Sequence, residues 1–231
     1  MLVKIFTAYP EYFQNTLDVS LLKSTKQNGI WKLEIINIRD FGVGKHKKID
    51  DITHGGGSGL IMRPDTLEGA LKANIPNLQD FKIQNPNNNK LLVLTSPRGS
   101  ILNQNMAQNL SKLDEINIIC NRFEGVDQRI IDYYNINEIS IGQYILLGGE
   151  VAVCVILESV LRLIDGFLEN NEAVIEESFC GKLKNKLEYP QYTKPQIWNE
   201  IEVPSILKSG NHEKINAWRM QNAKSIINKN D

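Results

Sequence analysis

Two short loops hold the residue types that chemistry needs. The first reads Asn121-Arg122-Phe123-Glu124-Gly125-Val126-Asp127, the second Ser140-Ile141-Gly142-Gln143-Tyr144-Ile145-Leu146-Leu147-Gly148-Gly149-Glu150. Each follows an apolar run that reads as a buried strand, 116–120 and 136–141. Glycines let a ligand approach the backbone closely. In α/β folds ligands bind where the chain leaves its strands. Two such loops on consecutive strands imply one shared pocket, with the Glu124 carboxylate aimed into it. Asp127 fits the N-cap of the helix that follows. Glu150 suits the positive end of a helix, while Gly148 and Gly149 leave the backbone open to a ligand. Phe123 and Tyr144 either stack on a flat ring or pack in the core.

Gly55-Gly56-Gly57-Ser58-Gly59 is a third candidate loop. It is no Walker A motif: Gly44-Lys45 is followed by His46, and position 39 is Arg. No G-x-G-x-x-G follows a strand and opens a helix either. A phosphate-binding nucleotidase built on this loop would lack the lysine–hydroxyl pair such loops need, and taken alone the loop reads as a flexible turn. Arg162 stands among Val160, Leu161, Leu163 and Ile164. A cation there needs a partner or must snorkel to water.

The elements that position these loops follow from periodicity. Strands are expected at 2–6, 31–38, 91–95, 116–120 and 136–141. Pro10 opens a helix carrying Phe13, Leu17 and Leu21 that ends before Gly29, and Pro64 starts another. Further helices are expected at 104–113, 127–134 and 150–164, the last apolar nearly all round and so buried. A long loop spans 39–59 and a polar turn 85–89. Alternating strands and helices define an α/β fold with a mostly parallel sheet. The apolar period fades at Asp165. The chain then reads as a body (1–168), a flexible linker (169–180) and a small helical domain (181–231).

The chain has 231 residues, 42% hydrophobic and 23% charged, which is ordinary globular composition. The formal net charge of −1 is uneven: residues 181–231 carry net +4 and the rest net −5. A basic tail on an acidic body points to a polyanionic partner. Cys120, Cys154 and Cys180 are widely spaced with no C-x-x-C, so buried free thiols in a reducing compartment are expected. No apolar stretch reaches membrane-span length and no signal-peptide pattern opens the chain, so a cytoplasmic protein is expected.

Taken in order and spacing, these residues resemble the TrmD family of bacterial tRNA (guanine-N1)-methyltransferases, of the SPOUT class. The resemblance runs nearly the whole chain. It rests on Phe6 to Pro10, Arg39-Asp40-Phe41, Asp50-Asp51, the 55–59 loop, Ser96-Pro97-Arg98-Gly99, Arg122-Phe123-Glu124-Gly125, Ser140-Ile141-Gly142, Tyr144 and Gly148-Gly149-Glu150. It continues through Glu177-Ser178-Phe179, Pro190-Gln191-Tyr192-Thr193, Val203-Pro204 and Ser209-Gly210-Asn211-His212.

The resemblance implies a trefoil-knotted domain that holds S-adenosyl-L-methionine. The residues that match its cofactor loops are Pro97, Gly99, Asn121, Phe123, Gly125, Ile141, Gly142, Gln143, Tyr144, Ile145, Leu146, Gly148 and Gly149. It implies a homodimer with active sites shared across the interface, and tRNA as substrate, methylated at N1 of guanosine 37 beside the anticodon. Glu177 matches the general base, Arg162 the arginine that stabilises charge on guanine O6, and Glu124 a carboxylate near the substrate and its Mg2+. Several positions depart from the family pattern: Glu177 replaces Asp, Asn121 replaces Gly, Phe123 replaces Tyr, Gln143 replaces Asp and Leu147 replaces Ser. A catalytically silent tRNA-binding protein on the same fold is the competing reading. Lys182, Lys184, Lys186 and Arg219 are expected to contact tRNA. Gly149→Val is expected to abolish cofactor binding and spare the fold.

Overall fold

The computed structural model describes residues 1–81, 89–169, 177–183 and 186–225. The chain divides into two compact units, Met1–Glu169 and Asn170–Asp231. The strands of the first are β1 (Leu2–Thr7), β2 (Lys32–Asn37), β3 (Asp50–Ile52), β4 (Leu60–Met62), β5 (Lys90–Ile101), β6 (Glu115–Ile119) and β7 (Asn137–Ser140). Five form one sheet in the order β2-β1-β6-β5-β7, with each neighbouring pair parallel. The expected α/β fold with a mostly parallel sheet is thus what the chain forms. Central β6 is buried at every position, as a parallel sheet covered on both faces requires.

The helices of this unit are α1 (Phe13–Thr16), α2 (Ser20–Gln27), α3 (Pro64–Asn74), α4 (Gln104–Leu110), α5 (Gln128–Tyr134) and α6 (Glu150–Leu161). Strand alternation sends side chains to two cores. Val3, Ile5, Ile116 and Ile118 join Trp31, Leu110 and Ile156 on one face. Phe6, Leu92, Leu94 and Ile119 meet Leu67, Leu71 and Tyr134 on the other.

Local departures have physical causes. The helix expected from Pro10 breaks into a 3-10 turn (Pro10–Tyr12), α1 and α2, with Ser20 at φ +45°. The break moves the apolar face by one residue, so Leu22 is buried and Leu21 exposed. The 39–59 segment is not all loop: a 3-10 turn spans Ile38–Phe41, and β3 pairs antiparallel with β4 around the glycines. β5 runs on to Ile101, and its ladder with β7 is interrupted between Thr95 and Ser100. Helix α6 is not buried all round, since Val151 and Val155 lie on an exposed strip. The 85–89 turn falls largely outside the described residues, as do 170–176 of the expected linker.

The second unit, taken by itself, is not purely helical. It has one α-helix, α7 (His212–Asn222), with 3-10 turns and two short antiparallel strand pairs among the described residues. Tyr192 and Trp218 meet at a tilt with ring centres 6.3 Å apart, and the Arg219 guanidinium lies 5.0 Å from the centre of the Tyr189 ring. Arg219 thus packs within this unit, with its Nε buried. Lys184 and the Lys182 side chain lie outside the described residues.

Candidate active site

The ends of β6 and β7 and the interruption of β5 converge on a cleft of about 180 Å³. Thr95, Ser96 and Pro97 form one wall, Asn121, Phe123 and Glu124 a second, and Ile139 to Gly142 with 144–149 a third, closed by Ala152. This is the strand-end position where α/β folds bind ligands.

Most of the residues singled out in the sequence meet here. Pro97, Asn121, Phe123, Glu124, Ile141, Gly142, Tyr144, Ile145, Leu146, Gly148 and Gly149 line the cleft, whereas Gly99, Gly125 and Gln143 do not. Gly99 serves packing instead, because a Cβ there would come within 2.3 Å of the Glu138 backbone. Ser96, Ser140 and Leu147, from the loops and motifs quoted above, also line the cleft, as do Thr95, Ile139 and Ala152, which the sequence did not single out.

Gly149 sits against the backbone just past the end of β6, at Cys120 and Asn121. Its N–H donates to Asn121 O at 2.8 Å. A Cβ would lie 2.0 Å from Thr95 Oγ1 and 2.7 Å from Asn121 N. Thr95 Oγ1 in turn accepts from Asn121 N and donates to Ile119 O. A side chain at 149 therefore disturbs the joint between strands as well as the cleft, which corrects the expectation that substitution spares the fold. Asn121 Oδ1 is buried, with no hydrogen-bond partner among the described residues.

Glu124 is exposed on the cleft wall and its N–H donates to Leu60 O at 2.9 Å. Met62 N donates to Gly125 O, which ties β4 to the same loop. A Cβ on Gly59 (φ +103°) would lie 2.4 Å from Glu124 Cγ. The glycine loop therefore has a use that the sequence did not show: its last glycine makes room for Glu124. Phe123 has φ +58°, an unusual value for a bulky residue. Neither aromatic is in the core: Tyr144 is 55% exposed, its ring folded over Gly142, and Phe123 is also exposed. Asp127 caps α5, accepting from Arg129 N at 2.9 Å, and the Arg129 guanidinium holds its carboxyl below the ordinary value.

Behind the cleft lies an ion pair. Glu150 is 1% exposed. Arg122 Nε lies 3.1 Å from its Oε1 and 3.0 Å from its Oε2. Thr7 Oγ1 donates to Oε1 at 2.9 Å. A charge buried this deeply needs such partners, so Glu150 does more than favour a helix end. Burial pushes the neighbouring Cys120 thiol far up, and the Glu150 charge adds to it.

The other two charged candidates do not line the cleft. Arg162 is the C-cap of α6, at the opposite end from Gly149. At 1.5 Å per residue a helix of this length spans about 18 Å. Glu177 belongs to the second unit. Among the described residues no group of three or more His, Cys, Asp or Glu could hold a metal ion. Glu124 is the one carboxylate among the residues that line the cleft. No helix among the described residues is long and apolar enough to cross a membrane.

A parallel α/β domain with a glycine-walled cleft at its strand ends is a ligand-binding domain by architecture. The family model for tRNA (guanine-1)-methyltransferase TrmD matches residues 1–230. Curated relatives include tRNA (guanine-N(1)-)-methyltransferases of Ehrlichia canis, 44% identical over 94% of this chain and 88% of that protein, and of Rickettsia typhi, 44% identical over 97% and 93%. The Pelagibacter ubique protein of the same name is 43% identical over 96% and 92%. The chain belongs to the TrmD family.

Proposed function

We propose that this protein transfers a methyl group from S-adenosylmethionine to N1 of guanosine 37 in tRNA. The observation that carries this reading is the cleft itself, walled by backbone at Gly142, Gly148 and Gly149 on a chain of this family. Glycine at these positions lets the loop pack tightly on Tyr144, Arg122 and Thr95 while its main chain lines the cleft, and a cofactor that lies against main chain, as S-adenosylmethionine would, fits there. When bound, it supplies a sulfonium methyl for in-line displacement.

What the chain itself contributes is then positioning and proton transfer. Pro97, Asn121 and the 141–149 loop hold the cofactor and keep water from it. Guanine N1 carries a proton at neutral pH. The Glu177 carboxylate accepts that proton as N1 forms its bond to the methyl carbon. Arg162 stabilises charge gathering on O6. Glu124 orients the guanine from the cleft wall.

The cofactor domain is read as a trefoil knot. Support comes from Ile139, which is paired with both Thr95 and Ser100, so the 96–99 stretch loops out of the β5 ladder beside β7. The protein is read as a homodimer. Support comes from the exposed Val151 and Val155 on α6 and from Leu147, 96% exposed at the loop tip. The distance of Arg162 from Gly149 supports a site completed by a second copy. The tail, net +4, is read as a tRNA-binding domain in a cytoplasmic enzyme.

Calorimetry with S-adenosylmethionine, followed by methyl transfer to a tRNA transcript, tests the reading. Binding and transfer are expected. Cofactor binding without transfer would leave a silent tRNA-binding protein.

A further inference from the structure

We propose that Arg122 is a positioning residue that sets the shape of the cofactor cleft by clamping its two loops together from behind. This rests on reading the cleft as the cofactor site. Arg122 follows β6, yet its guanidinium reaches the other loop twice. Nη1 donates to Leu147 O at 3.2 Å, and Nε donates to the Glu150 carboxylate. Neither Arg122 nor Glu150 lines the cleft. The contact is close enough that a Cβ on Gly148 would lie 2.4 Å from Nε.

The clamp has a footing of its own. Arg122 Cζ lies 4.3 Å from the centre of the Tyr9 ring, and Arg39 Cζ lies 5.3 Å from the same ring. Arg39 Nε donates to Ala8 O, and Tyr9 N donates to Thr7 Oγ1. Thr7 Oγ1 closes the circuit on Glu150. This arrangement gives a role to Phe6–Pro10 and to Arg39, two motifs that the chemistry alone left without one. A planar guanidinium can stack on the ring, pair with the carboxylate and reach the Leu147 carbonyl together. A lysine ammonium keeps the charge but not this fork. The fixed end is the buried Glu150 and the free end is the 143–147 tip, where Leu147 is almost wholly exposed. Loss of the fork should therefore loosen the loop first.

The test compares wild type with Arg122→Lys and with Arg122→Met/Glu150→Gln, which removes both charges. Melting temperature, amide exchange at 142–149 and S-adenosylmethionine affinity are measured on each. In folded variants, exchange at 142–149 should rise at least tenfold, while exchange in β1 and β6 stays near wild type. Cofactor affinity should fall about tenfold or more, appearing in KM rather than kcat at saturation. Exchange and affinity within twofold of wild type in a folded variant would overturn the proposal. Failure of both variants to fold would also overturn it, because the pair would then serve the fold alone. The exchange arm needs no cofactor. A wild type that binds no S-adenosylmethionine would therefore sink the functional reading while the clamp is still judged.

Discussion

At the scale of single residues, Gly149 and Asn121 are the most informative. Gly149→Ala should both weaken cofactor binding and lower the melting temperature, because its Cβ would meet Thr95 Oγ1 at 2.0 Å. A variant that binds poorly but melts like wild type would show that this contact is easily relieved. Asn121→Ala removes a buried oxygen that no described group satisfies. An unsatisfied buried acceptor is destabilising by about 1 kcal/mol or more. The variant should therefore gain stability in denaturant unfolding, and a loss would mean that Asn121 packs better than it bonds. Glu177→Gln should bind cofactor and tRNA nearly normally yet lose about 10²–10⁴-fold in single-turnover methylation. A loss of only a few-fold would move the base to Glu124. Much of the cleft was legible because glycines and a carboxylate after apolar runs are a local pattern. The Arg122–Glu150 pair was not, since the two residues lie 28 apart in sequence and only the parallel sheet makes them neighbours.

At the scale of elements, strands were easier to read than helices. β1 and β6 are short buried runs between clear turn signals, and β7 is buried in its second half, where it meets the cleft. The helix expected from Pro10 failed because Leu17 and Leu22 are both buried yet do not share one continuous helix. Composition alone cannot say that one strip of an apolar helix, Val151 and Val155, faces outward. Helix α5 offers a clean test of local reading. Asp127→Ala should be destabilising by about 1 kcal/mol, and Asp127→Asn by a few tenths, since Asn also caps well. The Asp127 carboxyl is depressed by Arg129 in the folded chain. Its charge-dependent stabilisation is thus present above the unfolded value of 3.8 and lost as pH falls through the lower folded value. The gap between wild type and Asp127→Asn should close across that acid range. A gap unchanged at low pH would show that capping geometry, not charge, carries the effect.

At the scale of the whole molecule, the proposed function needs more than one cleft. Arg162 stands a helix length from Gly149, and Glu177 belongs to the second unit. In mixtures of Arg162→Ala chains with Glu177→Ala chains, mixed dimers should regain one working site, because each chain supplies what the other lacks. No recovery in a mixture that light scattering shows to be dimeric would mean that both residues act within one chain. Charge asymmetry also belongs to this scale. Lys186→Gln with Lys214→Gln should weaken tRNA binding and flatten its salt dependence while sparing the cofactor. Unchanged tRNA affinity would take RNA binding away from the tail.

The most direct measurement is methyl transfer to two tRNA transcripts that differ only in having G or A at position 37. Purified protein and S-adenosylmethionine are incubated with each, and the nucleosides are then identified by mass spectrometry. The expected result is N1-methylguanosine at position 37 of the first transcript and no methylation of the second. Cofactor binding with no methyl transferred, or a methyl placed on another base, would contradict the assigned function.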